Sequence, residues 1–152
     1  MANLTTENLT TAWTGKHISG LSNKKNCSGF VYTLLEASGI NIPSGLNADR
    51  MIDYFTSNPL FSSLGEGEDG LKEAVKFANR GKIVIVGVKS YDYGQSNGHV
   101  AIVMKGGNEN AKRVNPFIYG GSKGVAASQG EKKLSNVFGE RKWKFLKFFV
   151  VL

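Results

Sequence analysis

The chain holds one cysteine, Cys27, and two histidines, His17 and His99. A cysteine attacks as its thiolate, and it needs a general base within hydrogen-bond reach. Cys27 lies in the stretch Asn26-Cys27-Ser28-Gly29-Phe30-Val31. Phe30, Val31, Leu34 and Leu35 recur at i, i+1, i+4 and i+5, and Gly39 stops the run. That spacing predicts a helix with Cys27 in its first turn, capped by Asn23 or Asn26. Unpaired N–H groups and the positive end of the macrodipole there favour a thiolate. Gly29 leaves room near the sulfur for a substrate backbone. A lone cysteine is also often a small buried hydrophobe. Polar Asn26 and Ser28 on either side of Cys27 argue against that reading.

His99 is the candidate base. It follows Gly98 and opens an apolar run over 99–105 that reads as a strand. Strand alternation puts His99, Ala101 and Val103 on one face and Val100, Ile102 and Met104 on the other. The expectation is that His99 faces a helix N-terminus packed across the sheet, with room left by small Ala101. His17 sits beside Lys16 in a weakly patterned region and reads as a surface or loop histidine.

These side chains need a frame. Residues 47–55 read as a second helix, with Met51, Ile52 and Phe55 on one stripe, and 69–79 as a third, stopped by Gly81. Between them, 58–70 reads as a loop that could form a rim or lid. Residues 82–89 are β-branched and nearly continuous, which predicts a central strand buried on both faces. A polar loop with two tyrosines follows over 90–98. Residues 112–119 are a third strand candidate, with Pro116 marking an edge or bulge. A small-residue loop over 120–130 leads to a closing strand over 143–152. Helices first and strands after predict an α+β fold with an antiparallel sheet.

Length and composition set the bounds. The 152 residues read as one domain, 1–152, with 41% hydrophobic and 20% charged residues, enough to fold around a core. One cysteine makes no internal disulfide. Residues 1–9 lack a basic n-region and an apolar core, so no signal peptide is expected. No apolar run approaches the roughly 20 residues of a membrane span. The acids are scattered, no His/Cys spacing suits zinc, and there is neither a P-loop nor a dinucleotide fingerprint. No metal or cofactor is therefore expected. Net charge is +7, from 19 basic and 12 acidic residues. A basic surface suits a polyanion such as nucleic acid, anionic lipid or an acidic wall, or is simply a solvated face.

The stretch around Cys27, with Gly98-His99-Val100-Ala101-Ile102-Val103, resembles the NlpC-like cell-wall cysteine peptidases. It is closer still to the small amidase effectors of bacterial type VI secretion. Pro43-x-Gly45-x-Asn47-Ala48 and Ser128-Gln129-Gly130 also resemble the first group of those effectors. The resemblance implies a papain-like fold with N-terminal helices packed on an antiparallel sheet. It implies hydrolysis of an amide in peptidoglycan stem peptides, between D-glutamate and meso-diaminopimelate. Cys27 would attack the carbonyl, His99 would carry the proton, and backbone N–H groups of Cys27 and Ser28 would hold the oxyanion. A third group would orient His99: either Asn115 or a carbonyl near Gly120, unless Asn115 serves only the Pro116 turn. With no second cysteine, packing by Phe117 and Tyr119 is expected to brace that region.

The implied partners are the peptidoglycan peptide and a cognate immunity protein, with no nucleic acid and no membrane insertion. The implied place of action is the periplasm of a target bacterium, reached by secretion without a signal peptide. Two other readings stay open. One is a housekeeping or phage-type wall endopeptidase. The other is a non-catalytic basic binding module, for which Trp143-Lys144-Phe145-Leu146-Lys147-Phe148 mixes cations and aromatics.

Overall fold

The computed structural model describes residues 27–120 and 130–152. His17, Asn23, Asn26, Ser128 and Gln129 lie outside the described residues. The first described helix, α1, spans Cys27–Ala37. Phe30, Val31, Leu34 and Leu35 are fully buried on one side of it, and each contributes about 1.5–3 kcal/mol by leaving water. Gly39 ends the helix as its sequence predicts. Its φ of 80° is left-handed, and across it the Ile40 N–H donates back to the Leu35 carbonyl at 2.9 Å. Helix α2 spans Ala48–Ser57, and its N-cap Asn47 accepts from the Arg50 N–H at 2.9 Å.

In the rest, strands and helices are interleaved. Strand β1 spans Phe61–Glu66, helix α3 Gly67–Asn79, strand β2 Val84–Val88, and the single turn α4 Ser90–Tyr93. Strand β3 spans His99–Val103, β4 Phe117–Gly120, and β5 Gly130–Lys133. A short helix, α5, spans Leu134–Val137, a 3-10 helix spans Glu140–Phe145, and β6 closes at Lys147–Val151. The six strands form one sheet in the order β1-β6-β2-β3-β4-β5, and every neighbouring pair is antiparallel. The α+β class with an antiparallel sheet is thus as expected.

The sheet separates two apolar clusters. On one face α1 and α2 pack on Ile85, Val100, Ile102, Tyr119 and Phe149. On the other, α3, α5 and the 3-10 helix cover Val86, Val88, Ala101, Val103 and Phe148. The two N-terminal helices therefore share a face, while α3 lies across the sheet from them.

Three segments differ from their sequence reading. Residues 61–66 are an edge strand on β6, not a loop; Ser and Gly dilute their alternation, and the register shifts between Ser63 and Gly65. The strand candidate over 112–119 shrinks to Phe117–Gly120, because Pro116 has no N–H to give a ladder. The closing strand starts only at Lys147, since 140–145 coil into the 3-10 helix. There Trp143 is buried, as is Phe148 in β6. The Trp143-to-Phe148 run is therefore not an exposed strip of cations and aromatics.

Candidate active site

Among the described residues, β4 pairs with only part of β3. Their register pairs Ile102 with Tyr119 and Val103 with Ile118, and the Met104 N–H donates to the Phe117 carbonyl at 2.9 Å. In an antiparallel ladder the N–H and C=O of one residue point the same way, and successive residues alternate. Val100, Ile102 and Met104 therefore address β4, as does the Gly98 carbonyl. Gly120, the last residue of β4, stands beside Ala101. Among the described residues, no strand continues past it to Gly98 and Val100.

The sulfur of Cys27 lies against these two residues. Its thiol donates to the Gly98 carbonyl at 3.9 Å, and the Val100 N–H is turned toward it. The sulfur thus touches the backbone immediately before and immediately after His99. The imidazole itself projects to the other face, in the row of Ala101 and Val103. It stacks on Tyr93, with centroids 6.4 Å apart and planes 28° apart, and meets Phe138 edge-on at 5.4 Å and 66°. Sulfur and imidazole therefore straddle the end of β3. This corrects the expected arrangement, in which His99 faced the helix across the sheet. The helix packs on the Val100 face, and the row of His99 points away from it.

The electrostatics also depart from expectation. Burial pushes the Cys27 thiol up, against the lowering effect of the Val100, Ser28 and Cys27 N–H groups. Burial lowers His99 from 6.5 to about 4. His99 is 7% exposed, and among the described residues its Nε2 has no hydrogen-bond partner. Tyr93 is raised by burial and then by the charge of Cys27, which puts its phenol within electrostatic reach of the sulfur. The resting pair is a neutral thiol and a neutral imidazole rather than a thiolate–imidazolium pair.

Asn115 is elsewhere. Because β4 runs antiparallel to β3, residues before Phe117 run past Met104, the end of β3 remote from His99. Both ends of the Asn115 amide are engaged by Ser135: its Nδ2 donates to Ser135 Oγ at 2.8 Å, and its Oδ1 accepts from the Ser135 N–H at 3.1 Å. Gly120 lies at the His99 end. Tyr119 packs as expected, stacked on Phe30 at 5.4 Å, whereas Phe117 is 45% exposed. Among the described residues no three His, Cys, Asp or Glu side chains gather as a metal site requires. A shallow hollow lined by Leu71, Arg113 and Trp143 touches neither Cys27 nor His99.

No protein-family model matches the chain. It is 33% identical over 141 residues to the peptidoglycan amidase Tse1 of Pseudomonas aeruginosa, over 91% of this chain and 83% of that protein. The chain belongs to the Tse1 family. In this member, the residues that sequence reading missed are Tyr93, Phe138 and Asp49. The two tyrosines of the 90–98 loop were visible, but nothing in their spacing ties either one to His99. Phe138 joins the site only through the tertiary fold, and Asp49 reads in sequence as an ordinary first-turn acid.

Proposed function

We propose that the protein is a cysteine amidase that hydrolyses peptidoglycan stem peptides. The observation that carries this reading is the seat of the Cys27 sulfur, between the Gly98 carbonyl and the Val100 N–H. That seat puts the sulfur against the backbone on both sides of His99. Membership of the Tse1 family supplies the substrate class.

The proposed chemistry starts from the neutral pair. A bound stem peptide brings its carbonyl to the sulfur beside the start of β3. His99 accepts the thiol proton as the carbon–sulfur bond forms, and gives it to the leaving amine as the C–N bond breaks. Water then hydrolyses the thioester with His99 again as base. The N–H groups of Cys27 and Ser28, which already favour negative charge on the sulfur, steady the oxyanion in this reading. A carbonyl near Gly120 orients His99 in this reading, in preference to Asn115. The bond cut is that between D-glutamate and meso-diaminopimelate, on a papain-like fold. The biological setting is a type VI antibacterial toxin, acting in a target's periplasm and restrained in the producer by an immunity protein.

The test is cleavage of diaminopimelate-type muropeptides followed by mass. Cys27→Ala and His99→Ala are each expected to lower turnover by about a thousandfold or more. Unchanged products from Cys27→Ala would remove the nucleophile. Retained turnover in His99→Ala would remove the base.

A further inference from the structure

Among the described residues His99 Nε2 has no hydrogen-bond partner, and two rings pack against the imidazole. Tyr93 lies nearly parallel to the imidazole and Phe138 meets its edge. Tyr93 and Phe138 also touch each other, at 5.9 Å. The Tyr93 hydroxyl donates to the Val137 carbonyl at 3.3 Å.

Tyr93 comes from α4, a single turn that has no stability of its own. It is held from α2. The Ser90 N–H donates to Asp49 Oδ1 at 2.8 Å, and the Ser90 hydroxyl donates to Asp49 Oδ2. Gly98 packs on the same carboxylate. A Cβ there would lie 2.5 Å from Asp49 Oδ1 and 2.6 Å from the Val88 carbonyl. One carboxylate thus holds Ser90 at one end of the segment 90–98 and lies against Gly98 at the other. One turn further along α2, Asp53 pairs with Lys89. On the other side, Lys142 Nζ donates to the Asp92 carbonyl at 3.2 Å.

We propose that Tyr93 is a positioning residue that fixes the His99 imidazole, and that Asp49 acts through it by capping the turn that carries it. The proposal rests on the reading of His99 as general base, because only a base needs its ring held in one attitude. A base misplaced by about 1 Å can cost a hundredfold in rate. The titratable groups beside the imidazole are Tyr93 and, within reach of Tyr93, Cys27. Phe138 and the facing Val88 carry no charge.

The experiment combines muropeptide kinetics with an NMR titration of the His99 ring in the full chain. Tyr93→Leu is expected to lower kcat about tenfold or more with KM within about twofold. The same variant should move the His99 titration up from about 4 toward 6.5, as water reaches the ring. Tyr93→Phe, which keeps the ring, should restore both values to near wild type. Asp49→Ala should match Tyr93→Leu in kcat, and the double variant should lose no more than the worse single. A Tyr93→Leu enzyme with full kcat overturns the proposal. So does a Tyr93→Phe enzyme as impaired as Tyr93→Leu, or a double variant whose losses multiply. If Tyr93→Leu does not fold, Tyr93→Met replaces it with the same two readouts. The titration needs no substrate. It therefore decides whether Tyr93 holds the ring even where His99→Ala keeps turnover and the base reading fails.

Discussion

Cys27 and His99 rest in their neutral forms because burial outweighs local polarity at both residues. At Cys27, three backbone N–H groups favour the thiolate, yet the surrounding apolar cluster raises the thiol above its ordinary 9.0. The expected outcome is that iodoacetamide alkylates Cys27 at a rate that keeps rising with pH through 9. A plateau reached below pH 7 would reveal a preformed ion pair instead. At His99 the folded value of about 4 lies below the unfolded 6.5. Above pH 6.5 the ring is neutral in both states. Below it only the unfolded chain takes up the proton, so stability falls as pH drops from 6.5 to 4, by about 3 kcal/mol in all. Urea midpoints of wild type and His99→Gln should therefore converge on acidification. Parallel curves between pH 7 and 5 would contradict this. The identities of Cys27 and His99 as candidates were legible in the sequence. Their protonation states were not, because these depend on neighbours such as Phe138 that are remote in the chain.

At the scale of elements, period was the legible signal. The helix face of α1 and the stripe Met51-Ile52-Phe55 in α2 carry the helical period, and β2 and β3 show as nearly continuous β-branched runs. Strand β1 does not, because an edge strand needs little apolar alternation. Direction was also hidden. No local feature of Asn115 tells that β4 runs antiparallel to β3, and that single fact carries Asn115 to the far end from His99. Its amide instead ties the start of β4 to α5 through Ser135. Asn115→Ala should lower stability by about 1 kcal/mol and leave kcat within about twofold. A thousandfold loss of kcat at unchanged stability would reinstate it beside His99.

Across the whole molecule, stability comes from the two clusters rather than from charge. The ion pairs Lys89–Asp53, Lys147–Glu66 and Arg113–Glu140 each keep a carboxylate that is more than half exposed, and each contributes about 1 kcal/mol or less. Phe55 and Phe148 are fully buried in different clusters. Phe55→Ala and Phe148→Ala should each cost about 3–5 kcal/mol. Because the sheet lies between them, their sum should hold in the double variant to within about 0.5 kcal/mol. A larger departure in urea denaturation would mean that the faces are coupled. The α+β class followed from the order of helices and strands. The placing of α3 opposite α1 did not, because an amphipathic helix records that one side is apolar and not which face of a sheet it will cover.

The seat of the sulfur has a consequence for observation. The Val100 amide has the Cys27 thiol beside it. Its exchange with deuterium should therefore track the sulfur. It should be slow while the thiol is in place, and faster once the sulfur carries an alkyl or acyl group that swings it away. A single backbone amide would then register occupancy of the nucleophile during turnover, without any label on the substrate.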